Sequence, residues 1–233
     1  MIEAVLSLYV KHCGHWDDCY EDVRKRKSKL EILSYKGNDL TFITNDSYPN
    51  KLKDIIMPPF FLFHYGNMDL LKSNNVVGIN FAPSIKDLEF VTKSVGGEQN
   101  PEDIVICIPS KFMSVGIIGW VDLNHYKLIV IHDQQLENFK LKDCLHPEKH
   151  LLISEFNHLI PEIKKCDGQH IERLLFAFSD RLFIHKTKEL LDSNKKIAKA
   201  LDNCVDQAKN KKLVSCHYVN NVLVYTEEAY KIA

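Results

Sequence analysis

From Leu40 onward the chain alternates continuous apolar runs with helical patterns, and that alternation narrows the choice of fold more than any other feature. The runs are LTFIT (40–44), FFLFHY (60–65), NVVGIN (75–80), DIVICI (103–108), KLIVIH (127–132), HLLISEF (150–156), RLFIH (181–185), KLVSCHYV (212–219) and NVLVYT (221–226). Apolar runs without strict alternation suit strands covered by helices on both faces. Helical spacing predicts helices over 84–95, 134–142, 169–178 and 188–209, and a short one at the end of the chain. Strands interleaved with helices predict an α/β chain with a mostly parallel sheet, whose ligands bind at the carboxyl ends of its strands. Asn220-Asn221 predicts a tight hairpin, and so an antiparallel edge. Residues 1–39 read as a short N-terminal helical region, with two helices between 2 and 35, and residues 40–233 as the α/β domain.

The stretch NDSYPNKLKDIIMPPFFLFHYGNMDLL, Asn45 to Leu71, is unusually stiff. Pro49 suits the first turn of a helix, with Asp46 or Ser47 as a nearby cap. Leu52, Ile55 and Ile56 continue at helical spacing until Pro58-Pro59, which a helix does not cross. Phe60 to Tyr65 then reads as a strand ending at Gly66.

Hydrophobic residues make up 45% of the 233, enough for a packed core. A net charge of -1 excludes a strongly basic nucleic-acid footprint at the level of the whole chain, though not a local patch. Arginine is scarce: Arg24, Arg26, Arg173 and Arg181 are the only four. Seven scattered cysteines, and an N-terminus without a signal-peptide pattern, predict a reduced cytosol with cysteines used as small core residues. No run is long enough to predict a membrane span.

Several constellations are candidates for chemistry. His12-Cys13-Gly14-His15 with Cys19 lacks the spacing of paired metal knuckles and reads as helix-end residues. Arg24-Lys25-Arg26-Lys27 reads as a solvated helix face or a phosphate-contacting patch. Gly78 and Asn80 end a strand that leads through Ser84 and Lys86 into a helix, where free backbone N–H groups favour an anion; a turn glycine is the plainer reading of Gly78. Gly116 and Gly119 admit a close backbone approach, and Asp122 with His125 reads as an acid/base pair, if a cleft is shared, or more plainly as surface polar groups at the start of a strand. Glu155 follows a buried strand and is either a site carboxylate or a cap. Arg173 reaches an anion from a helix or pairs on the helix surface. No Ser/His/Asp triad, phosphate loop of the Walker type or paired metal carboxylate site is visible, and no cofactor is expected.

The 45–71 stretch resembles the opening segment of the DprA/Smf DNA-processing family. The matching residues are Asp46, Tyr48, Pro49, Leu52, Ile55, Pro58, Pro59, Leu62, Gly66 and Asn67. Val76-Val77-Gly78 stands at the place of the family's V-G-S/T-R segment, Ser154-Glu155-Phe156 at its S-E-aromatic segment, and Ile171 to Asp180 at its R-N-R-I-I-A-G-L-S-D segment, with Arg173 on the last arginine. The resemblance implies a Rossmann-like domain that binds single-stranded DNA in a basic pocket without enzymatic chemistry, recruits a RecA-type recombinase and forms a homodimer, with no membrane partner. Departures accompany it: the family's other arginines fall on Asn80 and Ile171. Carried over, the DNA- or anion-binding set is Gly78, Asn80, Ser84, Lys86, Lys111 and Arg173, with Glu155 as a further site candidate. Phe81, Phe112, Trp120 and Tyr126 are candidates for base stacking. Two alternatives stand beside this reading. One is a scaffold that has kept the fold and lost DNA binding. The other is a nucleotide-binding enzyme, with Glu155 as acid and Arg173 as anion clamp.

Overall fold

In the computed structural model, residues 2–25, 35, 37, 39–53, 55, 57–96, 100–160, 169–185, 212–219 and 222–229 are described. Two short helices open the chain, α1 (Ile2–Lys11) and α2 (Trp16–Lys25). Each has acids in its first turn and bases in its last, the arrangement that complements the helix dipole. Cys13 and Gly14 at positive φ end α1, and Gly14 lies so close to the Phe156 ring that a Cβ would not fit. His12 and Lys11 hydrogen-bond Asp22 across the two helices and hold its carboxyl down at about 2, His12 contributing most.

Strands β1 (Leu40–Phe42), β2 (Phe61–Gly66), β3 (Val76–Ile79), β4 (Val105–Pro109), β5 (Lys127–His132), β6 (His150–Ser154), β7 (Arg181–His185), β8 (Lys212–Val219) and β9 (Val222–Ala229) form one sheet in the order β1-β2-β6-β5-β4-β3-β7-β8-β9. The run from β6 to β8 is parallel, while β1-β2, β2-β6 and β8-β9 are antiparallel. The antiparallel edge expected around Asn220-Asn221 is therefore present at β8-β9, with the two asparagines outside the described residues. The expected Rossmann-like α/β sheet, mostly parallel and covered on both faces, is the observed architecture.

Alternate strand residues face two separate cores. On one side Val77, Ile106, Ile108, Val130 and Leu152 meet α4 (Ile85–Gly96) and α5 (Val115–Leu123) through Leu88, Val91, Ile117, Ile118 and Val121. On the other, Val76, Val105, Cys107, Ile129 and Ile153 meet α3 (Asn50–Lys53) and α6 (Gln169–Phe178) through Leu52, Leu174, Leu175 and Phe178. A fully buried aliphatic side chain of this kind contributes roughly 1.5–3 kcal/mol. Strand order reverses between β3 and β7, so the crevice characteristic of such sheets lies at their carboxyl ends.

Three local expectations change. The helix predicted over 134–142 is replaced by 3-10 turns at Leu136–Asn138 and Lys142–Cys144. Leu136 and Phe139 bury at a three-residue spacing that a 3-10 turn also satisfies, and Leu6 and Tyr9 of α1 share that core. Gly116 to Asp122, not read as helical, lie in α5; Ser114 caps it by accepting from the Ile117 N–H. His125 follows at positive φ in the turn into β5. The Ser47 hydroxyl bonds that of Thr41 instead of capping α3. The helices expected over 188–209 and at the chain end, with Arg26 and Lys27, lie outside the described residues.

Candidate functional site at the carboxyl ends of the strands

Pro58-Pro59 holds its chain extended, and three successive carbonyls there are each taken by a different side chain. Arg173 Nη1 donates to Met57 O, Trp16 Nε1 to Pro58 O at 2.8 Å, and the Tyr48 hydroxyl to Pro59 O at 2.7 Å. The donors come from α6, α2 and the turn before α3. A proline has no N–H and a fixed φ, so the segment offers acceptors in a set geometry without a competing helix or strand ladder. Burial, then the nearby Glu155 carboxylate, pushes the Tyr48 hydroxyl far above its ordinary range, so it stays a donor. This is what the stiff sequence between Asn45 and Leu71 does: it joins the N-terminal helices, the sheet and α6.

Arg173 is held from its other side by Glu155, just past β6. Its Nε donates to Glu155 Oε1 at 3.2 Å and its Nη2 to Oε2, a two-pronged pairing. The two side chains are only 11% and 4% exposed. The structure thus brings together the two residues singled out as anion clamp and site carboxylate, but closes them on each other. His170 stands beside the pair, its ring edge on Phe156 at 5.2 Å; burial above all lowers its proton affinity. Glu172, one residue before Arg173, is 5% exposed, and its Oε2 accepts no hydrogen bond among the described residues.

The loop after β3 is equally closed. Gly78 sits within β3, not in a turn, and a Cβ there would collide with Ser179 Oγ and Leu182. Asn80 is wholly buried, and its N–H bonds Phe183 O at 3.0 Å. Ser84 caps α4 by accepting from the Asp87 N–H, and Asp87 completes a capping box: its carboxylate accepts from the Ser84 N–H at 2.8 Å and the Ser84 hydroxyl at 2.7 Å. A buried carboxylate therefore already occupies the positive end of this helix, where an anion would otherwise sit. Lys86 is exposed in the first turn.

Lys111 is exposed after β4, with its Nζ 4.9 Å from the centre of the Phe112 ring. Phe112 is half-buried, while Phe81 is in the core. Trp120 and Tyr126 stack on each other at 5.3 Å beside the amino end of β5, opposite the carboxyl edge. Of the four stacking candidates, Phe112 is the one that combines a partly open ring with a neighbouring cation at the carboxyl edge.

One constellation escaped the sequence. Ser110 Oγ and His132 Nδ1 lie 2.7 Å apart across β4 and β5, and burial lowers the imidazole's proton affinity against the pull of Asp133. The signal was present in the register: Pro109 pairs Ile131, so the next residue of each strand, Ser110 and His132, must meet. Among the described residues no group of three or more His, Cys, Asp or Glu is placed to hold a metal, and no helix is long and apolar enough to cross a membrane.

No protein-family model matches the chain, and no curated protein matches it. Solved structures do. DNA processing protein A (DprA) from Streptococcus pneumoniae superposes with a TM-score of 0.56 at 17% identity, over 92% of this chain and 81% of the other. DprA from Helicobacter pylori, described for its unique single-stranded DNA binding mode, superposes with a TM-score of 0.51 at 19% identity, over 76% of this chain and 80% of the other. The chain has a DprA-like fold.

Proposed function

We propose that the chain is a DNA-processing protein of the DprA type, acting in the cytoplasm, that binds single-stranded DNA at the carboxyl ends of its parallel strands and performs no enzymatic chemistry. The observation that carries this reading is the DprA-like fold over 92% of the chain. A second neighbour described for single-stranded DNA binding adds support. Lys86 and Lys111 supply the phosphate contacts, and Phe112 a face for base stacking. Arg173 acts from within, by fixing the Pro58-Pro59 segment, and does not touch DNA. Recruitment of a RecA-type recombinase and pairing with a second copy belong to the same proposal.

A second reading has its own support. Arg173 is closed on Glu155, and the amino end of α4 is capped by Asp87. Both observations suit a scaffold that has lost DNA binding. Titration of a fluorescent oligo-dT strand across a salt series separates the two, since phosphate contacts impose a steep salt dependence and a scaffold shows no binding.

A further inference from the structure

The opposite edge of the sheet carries a cluster that the DNA-binding proposal does not use. His150, at the amino end of β6, is 0% exposed in its side chain. Its Nδ1 accepts the backbone N–H of His146 at 3.1 Å, and its Nε2 lies 3.2 Å from Asp122 Oδ1 on α5 without the alignment of a full hydrogen bond. His146 Nε2 lies 3.4 Å from the other oxygen of Asp122. An accepting Nδ1 fixes the tautomer: the proton of neutral His150 must sit on Nε2, facing the carboxylate. That also leaves Nε2 no lone pair for a metal.

The loop this bond holds is docked on the corner after β2. The Asn67 N–H bonds His150 O at 3.0 Å, and the Asn67 side-chain amide bonds Glu148 O at 2.9 Å. Gly66, at φ +105, lies so close to His150 O that a Cβ would collide with it. Asp122, His146, Pro147, Glu148 and Lys149 line a cleft of about 420 Å³ beside the loop.

We propose that His150 is a proton-operated latch: a proton taken up at Nδ1 removes the acceptor for the His146 N–H, places two donors face to face, and frees the 146–149 loop from the Gly66-Asn67 corner, reshaping the cleft. No bond to carbon is made or broken; the proton comes from solvent and returns to it. The groups facing His150 pull in both directions. Burial opposes the proton most, Asp122 from α5 favours it, and His146 and Lys149 from the loop oppose it. Its neighbours on β5 and at the end of β2, Leu128, Gly66 and the following Asn67, carry no charge.

Long-range proton–nitrogen correlation spectra of the full chain, recorded with amide exchange through an acid titration, test the latch. The expected result is the Nε2–H tautomer of His150 near neutrality, and a loss of His146 amide protection of about tenfold or more as His150 protonates. His150→Asn, whose side-chain oxygen replaces the Nδ1 acceptor without titrating, is expected to keep that amide protected throughout. An Nδ1–H tautomer near neutrality overturns the proposal, as does unchanged His146 protection once His150 is charged. A His150 that stays neutral down to global unfolding overturns it too, and so does the same pH-dependent release in His150→Asn.

Discussion

The Arg173 guanidinium and the Glu155 carboxylate close on each other at the carboxyl end of β6, with Met57 O taking a further guanidinium N–H. The one arginine that the family resemblance would place in a DNA pocket is thus held in a buried ion pair. Breaking a buried pair from one side leaves an uncompensated charge, so Arg173→Ala is expected to lower unfolding free energy by about 3–5 kcal/mol. Replacing both partners with apolar residues, as in Arg173→Met with Glu155→Leu, is expected to recover much of that loss. Urea denaturation of the two singles and the double gives the cycle. Additive losses would show that the two residues act independently.

The Met57–Pro59 carbonyls make a second expectation. Trp16→Phe leaves the half-buried Pro58 carbonyl, and Tyr48→Phe the buried Pro59 carbonyl, without its donor while keeping a ring in place. Each is expected to cost about 1–3 kcal/mol, and the Trp16 change is expected to raise protease sensitivity in α1 and α2 before the sheet unfolds. Uniform sensitivity along the chain would mean that the proline segment does not anchor the N-terminal helices.

Gly78 leaves no room for a side chain beside Ser179. Gly78→Ala is expected to destabilise by about 1–3 kcal/mol through overpacking. Ser179→Gly is expected to relieve part of that in the double variant. A Gly78→Ala protein of unchanged stability with altered ligand binding would reverse this assignment.

Acid sensitivity follows from the histidines. His64, His132, His150 and His170 all have their proton affinity lowered from the ordinary 6.5, burial being the largest cause in each. A lowered histidine is neutral in the folded state and protonates more readily when unfolded. Its stabilisation is complete above 6.5 and is lost as pH falls from there towards the folded value. Denaturant midpoints at about pH 7.5 and about pH 5.5 are expected to fall on acidification. A midpoint that holds or rises would contradict buried neutral imidazoles.

Much of the fold is legible in the sequence because the signal is local. KLIVIH and RLFIH are strands with the bounds read from their apolar runs, and QHIERLLFAF is the expected helix. The VGIIGWVDL helix is not legible: it is apolar on all sides and holds two glycines, so it has no 3.6-residue stripe to detect. Both glycines are tolerated because Ile117, Ile118 and Val121 bury against the sheet. In the site, Glu155 and Arg173 stand out singly, but their closure depends on where β6 and α6 meet. The Ser84–Asp87 capping box was written in Ser-Ile-Lys-Asp, and it decides that the α4 terminus carries its own anion. Lys111 over Phe112, by contrast, is where adjacency in sequence already placed it.

The central claim, single-stranded DNA binding at the carboxyl edge through Lys86 and Lys111, is tested most directly by anisotropy of a fluorescent oligo-dT strand across a salt series, for the natural chain and for Lys86→Ala with Lys111→Ala. The expected result is binding that weakens steeply with salt, with the log–log slope reduced by about 1.4 in the double variant, at about 0.7 for each phosphate no longer neutralised. No binding at low salt, or binding indifferent to salt and to both lysines, would contradict the account and leave the scaffold reading in its place.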